Sequence, residues 1–353
     1  MSLRATWLEE RDESLLRRAV LLPLVPLSWV YAGCAWLHRG LYRVGLRRRS
    51  RLPGRVVSVG NLVVGGAGKT PLAAYIATGL RRRGHRVAIL SRGSGRGAAD
   101  AVTVVSDGRH VLSRQEVAGD EAMVLAAHAA GVPVLVGRDR ALVGWRALSV
   151  FGADVLVLDD GFQHHRLQRD VDVIAFDGGL GFGSGRVLPR GPLREPASAL
   201  ASAQVVGVVD GPLAAADAAR IDRLSPSSTR FEARRVPRDL RPLGGGEAVL
   251  PAVLNGVEVG MIAALANPRG FRRTLEALGA NVVAQRLFRD HHRYRRRDLR
   301  GLAKRAPIWV TTEKDAVKLL PFWAGGVDMR VLRIGIEVSE PDQLLAAIDD
   351  LLR

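Results

Sequence analysis

From Arg55 onward, short apolar runs alternate with stretches of helical period, the pattern of a parallel sheet covered by helices. Strands are expected at 55–59, 87–91, 102–105, 133–136, 154–158 and 171–176. Pro71 to Arg83 carries a helix between the first two, and Gly84 stands where a C′ glycine ends one. A second series starts after residue 200. Its apolar runs at 204–209, 257–265, 281–284, 308–312 and 330–335 alternate with helical stretches near 270–278, 295–305 and 341–352. The polar, Arg-rich text around 220–248, closing on Gly244-Gly245-Gly246, reads as the connection between the two series. At 353 residues and 47% hydrophobic, the chain is too long for one ordinary core, so two domains are expected.

The segment Ala19 to Leu37 (AVLLPLVPLSWVYAGCAWL) holds no charge, with Arg17-Arg18 before it and His38, Arg39 and Arg43 after. It lies at the short end of what crosses a bilayer, and Pro23 and Pro26 interrupt a helix there. Trp29, Tyr31 and Trp36 favour the headgroup boundary, and the flanking arginines suit it too. The expectation is a membrane-seated helix, shallow or barely spanning, with a buried core helix as the other reading. Glu9, Glu10, Asp12 and Glu13 make the leading segment acidic, which argues against a cleaved signal peptide.

A net charge of +17 ordinarily raises nucleic acid as a partner. Here 48 of the 52 basic residues are Arg, a bias of the whole chain. The runs at 47–49, 81–83 and 295–297 follow separate segments, and no aromatic stacking motif accompanies them. No nucleic acid is therefore expected, and an anionic membrane surface or a phosphorylated substrate accounts for the charge equally well. The single cysteine, Cys34, excludes an internal disulfide and fits a reducing compartment.

Within the first series, Gly65-Gly66-Ala67-Gly68-Lys69-Thr70 joins the strand at 55–59 to the helix after it. Small residues let backbone N–H groups close around phosphate oxygens, and the helix N-terminus adds partial positive charge. Lys69 is the residue to reach the β- and γ-phosphates of ATP, and Thr70 offers its hydroxyl to Mg²⁺. In a chain so poor in Lys, a Lys at position 69 points to a site where a guanidinium does not serve. The general pattern also has a glycine five residues before Gly68, where this chain has Val63. Its loop must turn differently, through Gly60 and Gly65. The plain alternative is a Gly-rich turn that only caps a strand.

Val155 to Leu158 form a buried strand ending in Asp159 and Asp160, at the edge where ligands of open α/β sheets bind. Alone, such a pair is commonly a solvated strand end. Together with the loop it predicts that one of the two, directly or through water, holds the Mg²⁺ that Thr70 touches. The expected fold class is therefore α/β, with a P-loop NTPase-like parallel sheet domain at 51–215. A second, smaller α/β domain is expected at 216–353, and an N-terminal membrane-associated helical segment at 1–50.

Six stretches resemble the tetraacyldisaccharide 4′-kinase family of lipid A synthesis: SVGNLVVGGAGKTP (58–71), LSRGSGRG (90–97), GDEAMVLA (119–126), DDGFQHHRL (159–167), LPRGPLREP (188–196), and FRDHHRY (288–294) with TTEKDAVK (311–318). They span most of the chain in order, and the family's loop likewise lacks the first glycine. Ala122 and Ser94 depart from it, where proline and an aromatic are usual. The resemblance implies an enzyme that transfers the ATP γ-phosphate to the 4′-hydroxyl of a tetraacylated glucosamine disaccharide 1-phosphate, a glycolipid. Such an enzyme is expected at the cytoplasmic face of the inner membrane of a Gram-negative bacterium.

The resemblance also implies that Asp120 is the general base and that His291, from Asp290-His291-His292, assists it. The other reading of Asp120 is a helix N-cap, at the start of a helix expected over 121–130. Gln163 and His164 are candidates to touch the γ-phosphate or the sugar, or else to support the neighbouring carboxylates. Arg190 and Arg194 are candidates to grip the lipid phosphate or the nucleotide. Glu313-Lys314-Asp315 either cap a helix or close the site.

Two rivals remain. A GTPase or metallochaperone with a similar loop would need a guanine-reading Asn-Lys-x-Asp element, which the sequence lacks. A basic, membrane-tethered nucleic-acid-binding protein with a vestigial loop would show steep salt dependence of DNA binding.

Overall fold

The computed structural model describes residues 20–93, 101–265, 267–290 and 292–353. Its regular elements in chain order begin with α1 (Leu24–Arg43), β1 (Arg55–Gly60), α2 (Lys69–Arg82), β2 (Val87–Ser91), β3 (Thr103–Ser106) and α3 (Asp120–His128). There follow β4 (Val134–Val136), α4 (Arg140–Phe151), β5 (Val155–Asp159), β6 (Val171–Asp177), β7 (Val205–Val209), α5 (Ala215–Leu224) and β8 (Thr229–Pro242). The last are β9 (Glu258–Ala263), α6 (Pro268–Ala277), β10 (Asn281–Leu287), β11 (Ile308–Thr312), β12 (Asp328–Val338) and α7 (Pro341–Leu352).

The central strands are apolar on both faces because both faces are covered. Val155 and Val157 of β5 join a core with Leu72 and Ile76 of α2, Leu125 of α3 and Ile348 of α7. Leu156 and Leu158 turn to the other side, against Val143 and Ala147 of α4. Gly84, at φ 99°, ends α2 as expected.

The strands form one twelve-stranded sheet in the order β10-β9-β11-β12-β8-β7-β6-β1-β5-β2-β4-β3. The boundary expected at 215/216 is no break in it, because β8 pairs in parallel with β7 from Thr229 to Ala233. The last helix also returns to the first half, where Leu345 packs so closely that a Cβ on Gly79 would lie 2.6 Å from it.

The text at 220–248 is not a connection. It holds the end of α5 and the whole of β8, whose 14 residues bury only Phe231, Ala233 and Leu240. Arg230, Arg234, Arg238 and Arg241 lie exposed around the buried positions, so composition hid a strand that alternation describes. Beyond Ala233, β8 leaves β7 and pairs antiparallel with β12 as far as Pro242. The stretch expected as a helix at 295–305 contains only short 3₁₀ turns, at 296–299 and 302–304.

Helix α1 starts after Pro23 and runs past the uncharged segment to Arg43. Among the described residues no helix is long and apolar enough to cross a membrane. One side of α1 docks on the loop at 187–199: Ser28 donates to the Val187 carbonyl (3.0 Å), and Tyr31 donates to the Arg194 carbonyl (2.8 Å). The other side leaves Leu27, Trp29, Val30, Trp36 and Leu37 exposed.

Candidate active site

β1 ends at Gly60, and the chain turns through Asn61 to Gly68 into α2. The turning residues are Gly65 (φ 137°) and Gly68 (φ 68°), conformations that L side chains rarely adopt. Gly60, expected to turn the loop, is needed for space: a Cβ there would lie 2.6 Å from the Cβ of Phe162. Val63 is buried and bridges to Leu193, so the position that is glycine in the general pattern supports packing here.

The loop is tied from within. Asn61 Nδ2 donates to the Val63 carbonyl (2.5 Å), while Lys69 Nζ donates to Asn61 Oδ1 (3.1 Å) and the Gly65 carbonyl (3.3 Å). Burial pulls the Lys69 ammonium below its ordinary value, Asp160 opposes the shift, and Arg194 adds to it. A cleft beside the loop is lined by Asn61, Gly65, Gly66, Ala67, Asp177 and Leu180. Thr70, half-buried, is the second residue of α2.

Asp159 lies beside Val59 in the register of β1 and β5, which brings it next to the loop. Burial, Glu121 and Asp160 push its carboxyl up to about 7, against the pull of Lys69 and Arg140. Its buried Oδ1 has no hydrogen-bond partner among the described residues. Asp160 follows at φ 53°, a left-handed conformation that Asp tolerates better than most side chains. Arg194 Nη1 donates to both of its oxygens, at 2.9 and 3.0 Å, and Lys69 Nζ stands 3.6 Å away. Although burial raises the Asp160 carboxyl, Lys69 and Arg194 hold it below its ordinary value.

Gln163 joins this group by donating to the Asn61 carbonyl (3.0 Å) and accepting from Arg194 (3.4 Å). His164 is pulled down to about 4 by burial and by Arg140 and Arg169. Its neighbour His165, which the sequence did not single out, pairs with Glu195 at 3.0 Å, and Glu195 also accepts from Arg39 of α1 at 2.8 Å. Arg190 is buried, and its backbone N–H donates to Ser28 Oγ (2.9 Å). The structure thus ties Arg190 to α1 and Arg194 to Asp160.

Asp120 is the first residue of α3, preceded by Gly119 (φ 88°) and a short helical turn at Gln115–Ala118. Its carboxylate accepts from Gln115 Nε2 at 2.6 Å, and Lys318 Nζ stands 3.6 Å from it. Lys318 also pairs with the fully buried Asp315 at 2.9 Å, while Glu313 meets His128 of α3 at 2.8 Å. In the motif at 311–318, Thr312 caps the turn Glu313–Ala316, and the turn docks on α3. His291 and Ser94 lie outside the described residues; next to His291, Asp290 pairs with Lys314 (3.1 Å) and His292 with Asp298 (3.0 Å).

Lys69, Asp159, Asp160, Gln163 and Arg194 are thus brought together at one sheet edge. Sequence reasoning missed Glu121, whose charge acts on both Lys69 and Asp159. Its signal was the doubled acid at 120–121. It also missed Asn61, directly after the strand.

A mixed α/β sheet carrying a lysine-bearing glycine loop, with an acidic strand end beside it, defines the class as P-loop NTPase-like. Within that class, the chain belongs to the family described as LpxK, tetraacyldisaccharide-1-P 4′-kinase, which it matches over residues 20–353. It is 43% identical to the tetraacyldisaccharide 4′-kinase of Anaeromyxobacter dehalogenans strain 2CP-C, covering 98% of this chain and 94% of that protein. The tetraacyldisaccharide 4′-kinase of Pelobacter propionicus is 40% identical, covering 96% of this chain and 95% of that one. The crystal structure of "apo" form LpxK from Aquifex aeolicus in complex with ATP superposes with a TM-score of 0.76 at 29% identity, covering 95% of this chain and all of that one.

Proposed function

We propose that this chain transfers the γ-phosphate of ATP to the 4′-hydroxyl of a tetraacylated glucosamine disaccharide 1-phosphate. The observation that carries the reading is the nearly buried Lys69 held between the loop carbonyl of Gly65 and the Asp160–Arg194 pair. An ammonium on loop carbonyls is placed to move onto arriving phosphate oxygens, and the backbone of residues 65–70 supplies the N–H groups around them. Arg194 and Gln163 adjoin the same point and are assigned to the transferring phosphate or the sugar. His164 and Arg190 support the loops that carry them.

Mg²⁺ fits the donor set, because Asp159 presents a buried oxygen lacking a partner and Asp160 and Glu121 crowd it with like charge. Asp159, Asp160 and Thr70 are the residues assigned to hold it. When bound, it neutralises charge on the β- and γ-phosphates.

A sugar hydroxyl is a weak nucleophile, and Asp120 is assigned to take its proton with His291 assisting. A positioned base contributes roughly 10²- to 10⁴-fold. In the structure Asp120 is fixed by Gln115 and faces Lys318. Asp120→Ala is expected to abolish turnover while ATP binding stays near wild type. Loss of folding instead would assign the residue to the helix start.

The acceptor is a lipid, so the enzyme works at a membrane surface. Support comes from the exposed Leu27, Trp29, Val30, Trp36 and Leu37 of α1, whose opposite side is bonded to the loop that carries Arg194. ATP supply assigns the cytoplasmic face of the inner membrane.

A further inference from the structure

β8 leaves β7 at Ala233, and Arg235, two residues on, reaches back over the phosphate-binding loop. Its Nη1 donates to the Gly66 carbonyl at 3.0 Å, and its Nη2 pairs with Asp177 at 3.1 Å. Its Nε donates to Asp210, and its backbone N–H donates to the other oxygen of the same carboxylate at 2.6 Å. Asp177 closes β6 and Asp210 follows β7, so two neighbouring strand ends meet at this guanidinium from β8. Asp210 has φ 62° and, with Asp160, is one of two non-glycine residues with positive φ among the described residues. The arginine's methylenes lie over the loop: a Cβ on Gly68 would meet its Cγ and Cδ at 3.8 Å.

In a planar trans peptide, the carbonyl of Gly66 and the N–H of Ala67 point in opposite directions. A carbonyl anchored on Arg235 therefore turns the Ala67 N–H away from Arg235. Phosphate loops bind through converging N–H groups, and a carbonyl that swung inward would face the anion with the wrong sign. Without Arg235, the carboxylates of Asp177 and Asp210 would also stand uncompensated at the loop's edge.

We propose that Arg235 is a positioning residue for the nucleotide: it sets the Gly66–Ala67 peptide for phosphate binding and neutralises Asp177 and Asp210. Although it shares its partners with an ordinary edge ion pair, an ion pair of that kind affects stability and leaves nucleotide affinity alone. The proposal rests on the reading of this loop as an ATP site and is independent of the acceptor.

The test uses the full chain in detergent, measuring ATP–Mg²⁺ affinity by calorimetry, the KM of each substrate and the melting temperature. Arg235→Met is expected to raise the ATP Kd by about tenfold, as loss of one charge-assisted hydrogen bond does. The acceptor KM should stay within about twofold, and Arg235→Lys, which keeps the charge but not the fork, should recover part of the ATP affinity. A folded Arg235→Met with wild-type ATP affinity overturns the proposal, and so does a parallel rise in both KM values. Should Arg235→Met not fold, Arg235→Lys carries the same reading, with wild-type ATP affinity refuting it. Wild-type protein that binds ATP but phosphorylates no disaccharide lipid would overturn the acceptor and leave the Arg235 result standing.

Discussion

Replacing Lys69 with methionine removes the ammonium and keeps most of the side-chain volume. That ammonium is nearly buried, with 12% of its side chain exposed, and it stands 3.6 Å from Asp160. At an effective dielectric of 20 the attraction is worth about 4 kcal/mol. Taking the ammonium out of water costs several kcal/mol, and the lowered proton affinity of Lys69 shows that desolvation wins. Asp160 keeps its two bonds from Arg194 when Lys69 is lost. The net effect on the free protein should therefore be small, with the melting temperature unchanged or raised by a few degrees. Turnover is another matter, since a pre-placed positive charge on the transferring phosphate contributes about 3–4 kcal/mol, or roughly 10²- to 10³-fold. Steady-state transfer and calorimetric melts on the same Lys69→Met preparation read both quantities. Turnover within threefold of wild type, or a large fall in melting temperature with turnover per folded molecule intact, would refute the reasoning.

Two further outcomes follow from the structure. The folded His164 ring binds its proton at about 4, below the ordinary 6.5, so the unfolded chain takes up that proton first. Stability is complete above pH 6.5 and falls as pH drops toward 4, by about 1–3 kcal/mol for a half-buried ring. Urea melts of wild type against His164→Gln between pH 4 and 7 should show a shallower slope in the variant, and equal slopes would contradict this. Trp29→Ser with Trp36→Ser removes two exposed rings from α1 and should weaken sedimentation with anionic vesicles by roughly tenfold or more, with ATP affinity unchanged. Vesicle binding equal to wild type would take the membrane role away from this face.

How much of this was legible depended on whether each residue's signal is local. The strands of the first half were readable because both faces of each are buried, so an unbroken apolar run such as Val155 to Leu158 has few other uses. Lys69, Asp159 and Asp160 were legible as residue types at ends of elements. β8 was not, because one strand passes from the main sheet into a ribbon with β12 and keeps only Phe231, Ala233 and Leu240 buried among arginines. Spacing gave no hint of pairings between distant segments. Arg235 is 169 residues from Gly66, and His128 is 185 from Glu313. Asp120 was legible as a helix start, but its approach to Lys318 depends on how the turn at 313–316 docks on α3. Val63 shows the converse: the resemblance accounted for its mismatch to the general loop pattern, and the physical use of the valine came with its bridge to Leu193.

The central claim is phosphoryl transfer at this loop to a disaccharide lipid. Its most direct measurement is transfer of label from γ-labelled ATP with Mg²⁺ to tetraacyldisaccharide 1-phosphate in detergent micelles, with Lys69→Met and Asp120→Ala run beside wild type. Label in the glycolipid with wild type, reduced at least 10²-fold in both variants, is the predicted result. A folded, ATP-binding wild type that leaves the disaccharide unlabelled would contradict it.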